Sequence, residues 1–123
     1  MKVAIQLYTV RTNTAEDMTG TIARLGEIGY RAVEFAGYGN SEPTAIREAL
    51  DKAGIAGVAA HVPLARIDSE FDTVVDEMHI IGVKHLIIPW LAPEQRNDAG
   101  YNHVIATLNA RAADARDAGL HMG

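Results

Sequence analysis

Hydrophobic positions recur every three to four residues in four separate stretches of the chain, which is the spacing of an amphipathic helix. Each stretch ends at a glycine, and a glycine just past a helix can take the left-handed conformation that satisfies the last carbonyl groups. Short apolar runs precede the first stretch and follow the first three. The pattern therefore predicts four helices that alternate with strands. The glycines are Gly29, Gly54, Gly82 and Gly119.

The predicted helices each carry one apolar face and a plausible capping residue at the start. The faces consist of Met18, Ile22, Leu25 and Ile28; Ile46, Leu50 and Ala53; Phe71, Val74, Val75, Met78 and Ile81; and Tyr101, Ile105, Leu108, Ala112 and Ala115. The predicted N-caps are Thr14, Ser41, Asp68 and Asn97.

Strands are predicted at residues 3–8, 32–36, 57–62 and 85–90. Strands that alternate with helices of this length form right-handed βαβ units and a parallel sheet. Two α/β folds fit: a (β/α)4 half of a TIM (β/α)8 barrel with its helices outside, or a small doubly wound sheet. The segment after the first strand, residues 9–13, lacks the glycine-rich phosphate loop of many doubly wound folds, but the pattern alone leaves both open.

Four strand–helix units amount to about half of a barrel that runs to roughly 250 residues. A fifth strand is expected to begin directly after Gly119, where only residues 120–123 remain. We therefore expect residues 1–123 to form a single domain that is the N-terminal half of a barrel, either a fragment or a half-barrel in its own right.

Composition narrows the possible functions. Hydrophobic residues make up 48% of the chain and charged residues 22%, as in ordinary globular proteins. The formal net charge of -5 argues against a nucleic-acid partner, and the absence of cysteine excludes disulfides, thiolate catalysis and cysteine zinc sites. The apolar run near the N-terminus is too short for a membrane span and is interrupted by Gln6. We expect a cytoplasmic protein with no membrane partner.

Polar side chains occupy the ends of the predicted strands, where barrels carry their chemistry. Alternation along the strands places Gln6, Tyr8, Glu34 and His61 toward the barrel interior. Such residues either satisfy one another in a buried network, Glu34 with His61, or bind a polar ligand; their occurrence at three successive strands favours the ligand. The opposite sides, predicted to face the helices, carry Val3, Ile5, Leu7, Val33, Phe35, Val58 and Val62.

Two further residues are candidates for ligand contact. Trp90 follows the fourth strand, and an indole at a barrel mouth can stack on a sugar ring or simply pack under its own loop. Arg11 could bind a phosphate or carboxylate, or lie solvated in its loop. The other histidines lack metal-ligand spacing and are predicted on helix surfaces or at strand ends: His79, His85, His103 and His121.

The chain resembles the sugar-phosphate isomerase/epimerase family of the xylose-isomerase-like TIM barrel superfamily. The resemblance extends through all 123 residues and is carried by Gln6-Leu7-Tyr8-Thr9-Val10-Arg11, Gly29-Tyr30-Arg31-Ala32-Val33-Glu34-Phe35-Ala36-Gly37, Ala60-His61-Val62-Pro63 and Pro89-Trp90-Leu91.

This resemblance implies an enzyme that uses a divalent metal, manganese, magnesium or cobalt, to move a proton or hydride between adjacent carbons of a keto-sugar or sugar phosphate. In the family the metal ligands and catalytic carboxylates lie on the last four strands, so they are expected beyond Gly123. Only substrate-binding residues then fall in this chain: Tyr8, Glu34, His61 and Trp90. The chain alone is expected to bind no metal and to be inactive.

Three alternatives stay open. The superfamily includes apurinic-site endonucleases, in which His61 would match a zinc-binding histidine, and inosose dehydratases, which are lyases acting on a cyclic polyol. The third is a non-catalytic half-barrel that self-associates or pairs with the missing half, because an open parallel sheet leaves an edge and an inner face uncovered.

Overall fold

The computed structural model describes residues 3–123, which form one parallel sheet of five strands with helices between them. The strands are β1 (Ala4–Gln6), β2 (Ala32–Phe35), β3 (Ala56–His61), β4 (His85–Ile87) and β5 (His121–Met122). The helices are α1 (Arg11–Glu16), α2 (Met18–Ile28), α3 (Pro43–Ala53), α4 (Leu64–Ser69), α5 (Phe71–Ile81) and α6 (Asp98–Asp117), with 3-10 turns at Leu7–Val10 and Pro93–Gln95.

The order of the strands decides between the two predicted folds. Each strand pairs in parallel with the next one along the chain, in the order β1-β2-β3-β4-β5. A doubly wound sheet reverses its strand order part-way, whereas a barrel does not. The half-barrel prediction is therefore confirmed, and β5 begins where a fifth strand was expected.

The helices pack against one face of the sheet. Val33, Phe35 and Leu86 point toward them and are fully buried, and α2, α3 and α5 contribute residues such as Ile22 and Leu50 to the same core. Burial of this apolar surface is the main force that holds the sheet and helix layers together. The other face of the sheet, which lines the barrel interior, remains accessible along residues 4, 56 and 58.

An extra residue in β3 changes which side chains face the interior. Val33 pairs with Gly57 and Glu34 pairs with Ala59, so Val58 has no partner on β2. Such a bulge shifts the alternation by one position. The prediction that Val58 faces the helices is therefore wrong: its side chain is 37% exposed.

Two strands are shorter than predicted. β1 ends at Gln6 because the Gln6 side chain accepts a hydrogen bond from the Tyr8 backbone N–H at 2.7 Å, which turns the chain into a 3-10 helix. Tyr8 is thus not a strand residue. β4 ends at Ile87, and Pro89, which has no N–H to donate, keeps the ladder from continuing to Trp90.

The predicted helix caps are right at one position in four. Asn97 caps α6, where its side-chain oxygen accepts from the Gly100 N–H at 3.0 Å. Thr14 instead lies buried inside α1, and Asp17 caps α2 by accepting from the Gly20 N–H.

Ser41 and Asp68 are not caps either. Pro43 opens α3, and its fixed φ angle suits the first turn of a helix without a side-chain cap. Asp68 belongs to α4 and accepts hydrogen bonds from Thr107 and His103, each at 2.8 Å. These bonds tie α4 to α6.

The predicted glycine stops are confirmed. Gly29, Gly54 and Gly82 cap α2, α3 and α5 in the left-handed conformation, and Gly119 takes a φ of 75° one residue after the cap of α6.

The apolar face predicted for α6 is only partly buried. Ala115 packs into the core, but Tyr101 and Ile105 are more than half exposed, as is Ile28 at the end of α2. The reason is position: α6 lies beside β5 at the edge of the sheet, and within residues 3–123 no further helix covers its outer side. None of the helices in the same residues is long and apolar enough to cross a membrane.

Gly57 sets how closely the helix layer approaches β3. A methyl group added there would lie 2.8 Å from Val83 Cγ2 and 3.1 Å from Phe35 Cε2. We expect Gly57→Ala to lower the free energy of unfolding by about 1–3 kcal/mol because the core is overpacked. Urea denaturation measures this. The control is Gly123→Ala, where an added methyl meets nothing; equal effects of the two substitutions would contradict the close packing at Gly57.

The link between α4 and α6 makes stability depend on pH. Partial burial by itself would raise the pKa of Asp68, but hydrogen bonds from His103 and Thr107 outweigh it and lower the pKa below the ordinary 3.8. A lowered pKa in the folded state stabilises the fold above pH 3.8, and the effect is lost as the pH falls below that value. We expect Asp68→Asn to cost up to about 1 kcal/mol at pH 7.

Unfolding curves of wild type and Asp68→Asn, measured from pH 7 down to pH 3, check this expectation. The two should converge as the pH falls. Asp76→Asn, on the exposed surface of α5, is the matched control. A difference that stays constant across this range would contradict the role of the Asp68 carboxylate.

Candidate functional site

Three polar side chains from neighbouring strands meet on the interior face of the sheet. Gln6 and Glu34 pair in register on β1 and β2, and His61 lies two residues beyond Ala59, which pairs with Glu34. The bulge in β3 thus puts His61 on the same face as Glu34. His61 Nε2 lies 3.0 Å from Glu34 Oε1, and His61 Nδ1 lies 3.3 Å from Gln6 Nε2.

The hydrogen bonds assign a donor role and an acceptor role to the two nitrogens of His61. Gln6 Oε1 accepts from the Tyr8 backbone N–H, so the Gln6 amide NH2 group points toward His61. His61 Nδ1 must then be an acceptor, which leaves the proton on Nε2, where it is donated to Glu34. In this arrangement His61 donates through Nε2 and accepts through Nδ1, so both of its nitrogens are engaged.

This network lies beside a cavity of about 720 Å3 at the carboxyl ends of the strands, a size typical of small-molecule sites. Three of the four predicted site residues, Tyr8, His61 and Trp90, line it. Glu34 does not line the cavity but contacts His61, which does. The structure therefore brings all four predicted residues into one region. The lining residues are Gln6, Tyr8, Ala36, Gly37, His61, Pro63, Pro89 and Trp90.

The walls of the cavity include two exposed aromatic rings. Tyr8 is 59% exposed and Trp90 is 60% exposed, so neither is packed under its own loop. They project from the loops after β1 and β4, three strands apart, and so approach the cavity from different sides. Arg11 lies over the Tyr8 ring at 4.5 Å and donates to the Tyr8 carbonyl, which orients that wall.

The interior face carries a second pair of side chains, His85 and His121, which the sequence pattern did not predict. His85 and His121 are the first residues of β4 and β5, so both lie at strand ends, one of the two locations predicted for them. The two residues pair in register. Their rings stack at 5.1 Å between centroids, inclined by 22°. Leu86, which follows His85, is fully buried against the helices, so simple alternation could have placed His85 inward.

The remaining two histidines lie on helix surfaces, as predicted. His79 Nε2 contacts the carbonyl of Ala118 at 2.7 Å, and His103 contacts Asp68. Both tie α6 to its neighbours.

The described part of the chain offers no complete metal site. Within residues 3–123, no three histidine or acidic side chains lie close enough together to hold an ion. Glu34 and His61 bond to each other, and His61 has no free nitrogen lone pair for a metal. These residues by themselves do not fit the divalent metal that the resemblance implies, and no chemical step of this chain runs through one.

Solved structures share this architecture. A sugar phosphate isomerase/epimerase from Parabacteroides distasonis superimposes with a TM-score of 0.76 at 21% identity, over 99% of this chain and 50% of that one. The chain has the fold of one half of a TIM barrel. The chain spans about half the length of this structure and of two further ones.

Two others show the breadth of this fold. An AP endonuclease of family 2 from Brucella melitensis matches with a TM-score of 0.72, 14% identity and coverage of 98% and 53% of the two chains. A xylose isomerase domain containing protein from Salmonella typhimurium matches with a TM-score of 0.68 at 10% identity, over 97% of this chain and 47% of that one. No family model and no curated protein matches the sequence.

Gln6 is expected to hold the tautomer of His61. In Gln6→Met both the Gln6–His61 contact and the bond to the Tyr8 N–H are lost, so only Glu34 still favours the Nε2–H form, and we expect a fraction of the other tautomer to appear. Nitrogen-15 NMR of the imidazole distinguishes a single tautomer from a mixture. Gln95→Met, which removes the side-chain bond to the Ala92 N–H instead, is the control. A His61 spectrum unchanged in Gln6→Met would contradict the proposed hydrogen-bond direction.

The Glu34–His61 pair is expected to matter little for stability. Both side chains keep more than a fifth of their surface exposed, and a hydrogen bond between groups that water can reach contributes about 1 kcal/mol or less. We expect Glu34→Gln to change the free energy of unfolding by no more than this, as measured by urea denaturation. A loss of several kcal/mol would show that the pair serves the core rather than a ligand.

Proposed function

We propose that this chain is the substrate-binding half of a barrel enzyme that isomerises or epimerises a keto-sugar or its phosphate with the help of a divalent metal. The observation that supports it best is the Gln6–His61–Glu34 network beside a cavity walled by Tyr8 and Trp90. A sugar presents hydroxyl groups and apolar C–H faces. The polar groups on the cavity floor match the hydroxyl groups, and the aromatic walls match the C–H faces.

The floor can recognise hydroxyl groups. The Gln6 amide lines the cavity and keeps one N–H as a donor, and the hydroxyl of Tyr8, also in the lining, can donate or accept a hydrogen bond. A ring or chain of hydroxyls, each both donor and acceptor, can satisfy these groups. Trp90 and Tyr8 can pack against the C–H faces of the sugar and exclude water.

The proton-moving residues and the metal ligands belong, in this proposal, to the other half of the barrel. The metal supplies charge stabilisation for the oxygens of the sugar when bound. The side chains of this half then bind and orient the substrate, and the chain alone does not turn it over.

Two observations weigh against an apurinic-site endonuclease. Both nitrogens of His61 are engaged in hydrogen bonds, which leaves no lone pair for zinc, and the net charge of -5 is unfavourable for DNA. A lyase of the inosose dehydratase type would use the same floor and differ in the other half. A non-catalytic half-barrel assembly would rest on the open edges of β1 and β5 rather than on the cavity.

The first test is to sequence the encoding gene beyond the codon for Gly123. A frame that continues through four more strand–helix units, with Glu, Asp and His at the inward strand ends, supports the enzyme. A stop codon at that point contradicts it and favours assembly.

The second test measures turnover of keto-sugars with added manganese. We expect activity from a protein that carries both halves and none from residues 1–123. In the two-half protein, His61→Ala should lower kcat/KM roughly 10-fold or more, without unfolding, because the Gln6 amide loses the partner that positions it in the cavity. His79→Ala on α5 is the matched control. Cleavage of abasic DNA, or activity lost only in proportion to folded protein, would contradict the proposal.

A further inference from the structure

Two arginines that pack on the aromatic rings of the cavity wall, Arg11 on Tyr8 and Arg96 on Trp90, lack acidic partners among residues 3–123. Arg11 and Arg96 contact no carboxylate among residues 3–123, although the chain has 16 acidic residues against 11 basic ones. The arginines that do form ion pairs with carboxylates are Arg24, Arg47, Arg66 and Arg111. An acidic protein that leaves guanidinium groups unneutralised beside its cavity has cationic charge available for a ligand.

Arg96 is held in place rather than free in solvent. Its Nε donates to the Leu91 carbonyl at 2.9 Å, and its guanidinium carbon lies 5.5 Å from the centroid of the Trp90 ring. The backbone carbonyl and the ring face orient the group without neutralising it. The terminal nitrogens of Arg96 keep their donors for another acceptor.

Arg96 also lies next to the sugar cavity. It lines a groove of about 380 Å3 that shares Pro89 and Trp90 with that cavity. A ligand whose ring packs against Trp90 can therefore extend one end into the groove. Most residues that line the groove are apolar, so the Arg96 guanidinium is its main polar group. The planar guanidinium can donate two parallel hydrogen bonds to an oxyanion.

We propose that Arg96, oriented by Trp90 and Leu91, determines specificity by binding an anionic group on the substrate, a phosphate or a carboxylate. This inference rests on the proposed sugar site and adds the charge of the substrate to it. Arg11, which stacks on Tyr8 in the same way, is a secondary contact for the same charge.

The experiment uses the single tryptophan of the chain as a reporter, since Trp90 forms part of the site itself. Fluorescence of purified residues 1–123 is titrated with fructose 6-phosphate, gluconate, fructose and inorganic phosphate. We expect fructose 6-phosphate or gluconate to bind at least about 10-fold more tightly than fructose, the size of one charge-assisted hydrogen-bonded contact. The stronger of the two identifies the anionic group.

Arg96→Met should remove this preference and leave the binding of fructose unchanged. Arg31→Met is the matched control, because Arg31 is also anchored to backbone carbonyls but precedes β2 at the opposite end of the sheet. Calorimetry repeats the titrations, since removing a guanidinium from the ring alters fluorescence directly, and circular dichroism verifies folding.

The outcomes separate the two proposals. Equal binding of fructose and the anionic sugars, or equal loss in the Arg96 and Arg31 variants, overturns the role of Arg96 and leaves the sugar site standing. Binding of inorganic phosphate but of no sugar contradicts the sugar site. If no ligand binds, both proposals are contradicted.

Discussion

Parallel strands that pair in chain order, with helices on one face only, are the constraint on which the rest of the molecule depends. Because the helix layer covers one face, every strand has a side that is buried among apolar residues and a side that faces the barrel interior. Val33, Phe35 and Leu86 take the first role, and Gln6, Glu34 and His85 take the second. The chemistry of the chain follows from this division.

The bulge at Val58 keeps the polar end of β3 on the same face of the sheet as the polar residues of β1 and β2. Without the extra residue, the alternation set by the Val33–Gly57 pair would turn His61 toward the helices and away from Glu34. With it, His61 completes a chain of hydrogen bonds from the Tyr8 backbone through Gln6 to Glu34. One unpaired residue thus connects sheet packing to the tautomer of a side chain in the cavity.

The 3-10 turn after β1 has a comparable role. Gln6 both ends the strand, by capping the Tyr8 N–H, and supplies the amide that meets His61. The same bond releases Tyr8 from the sheet so that its ring stands exposed at the cavity wall. A single side chain therefore couples the backbone conformation of the first loop to the composition of the site, and Trp90 reaches the opposite wall because Pro89 ends β4.

Local periodicity by itself determined the four longer helices, the existence of the strands, the glycine stops and the inward positions of Gln6, Glu34 and His61, because alternation and helix termination depend on neighbouring residues; it did not predict the short helices α1 and α4. It could not choose between a barrel and a doubly wound sheet, since strand order is a property of long-range pairing. Nor could it locate the bulge at Val58, the exposed outer side of α6 or the stacking of His85 on His121. Each of these depends on which strand or helix lies alongside, and only the tertiary structure decides that.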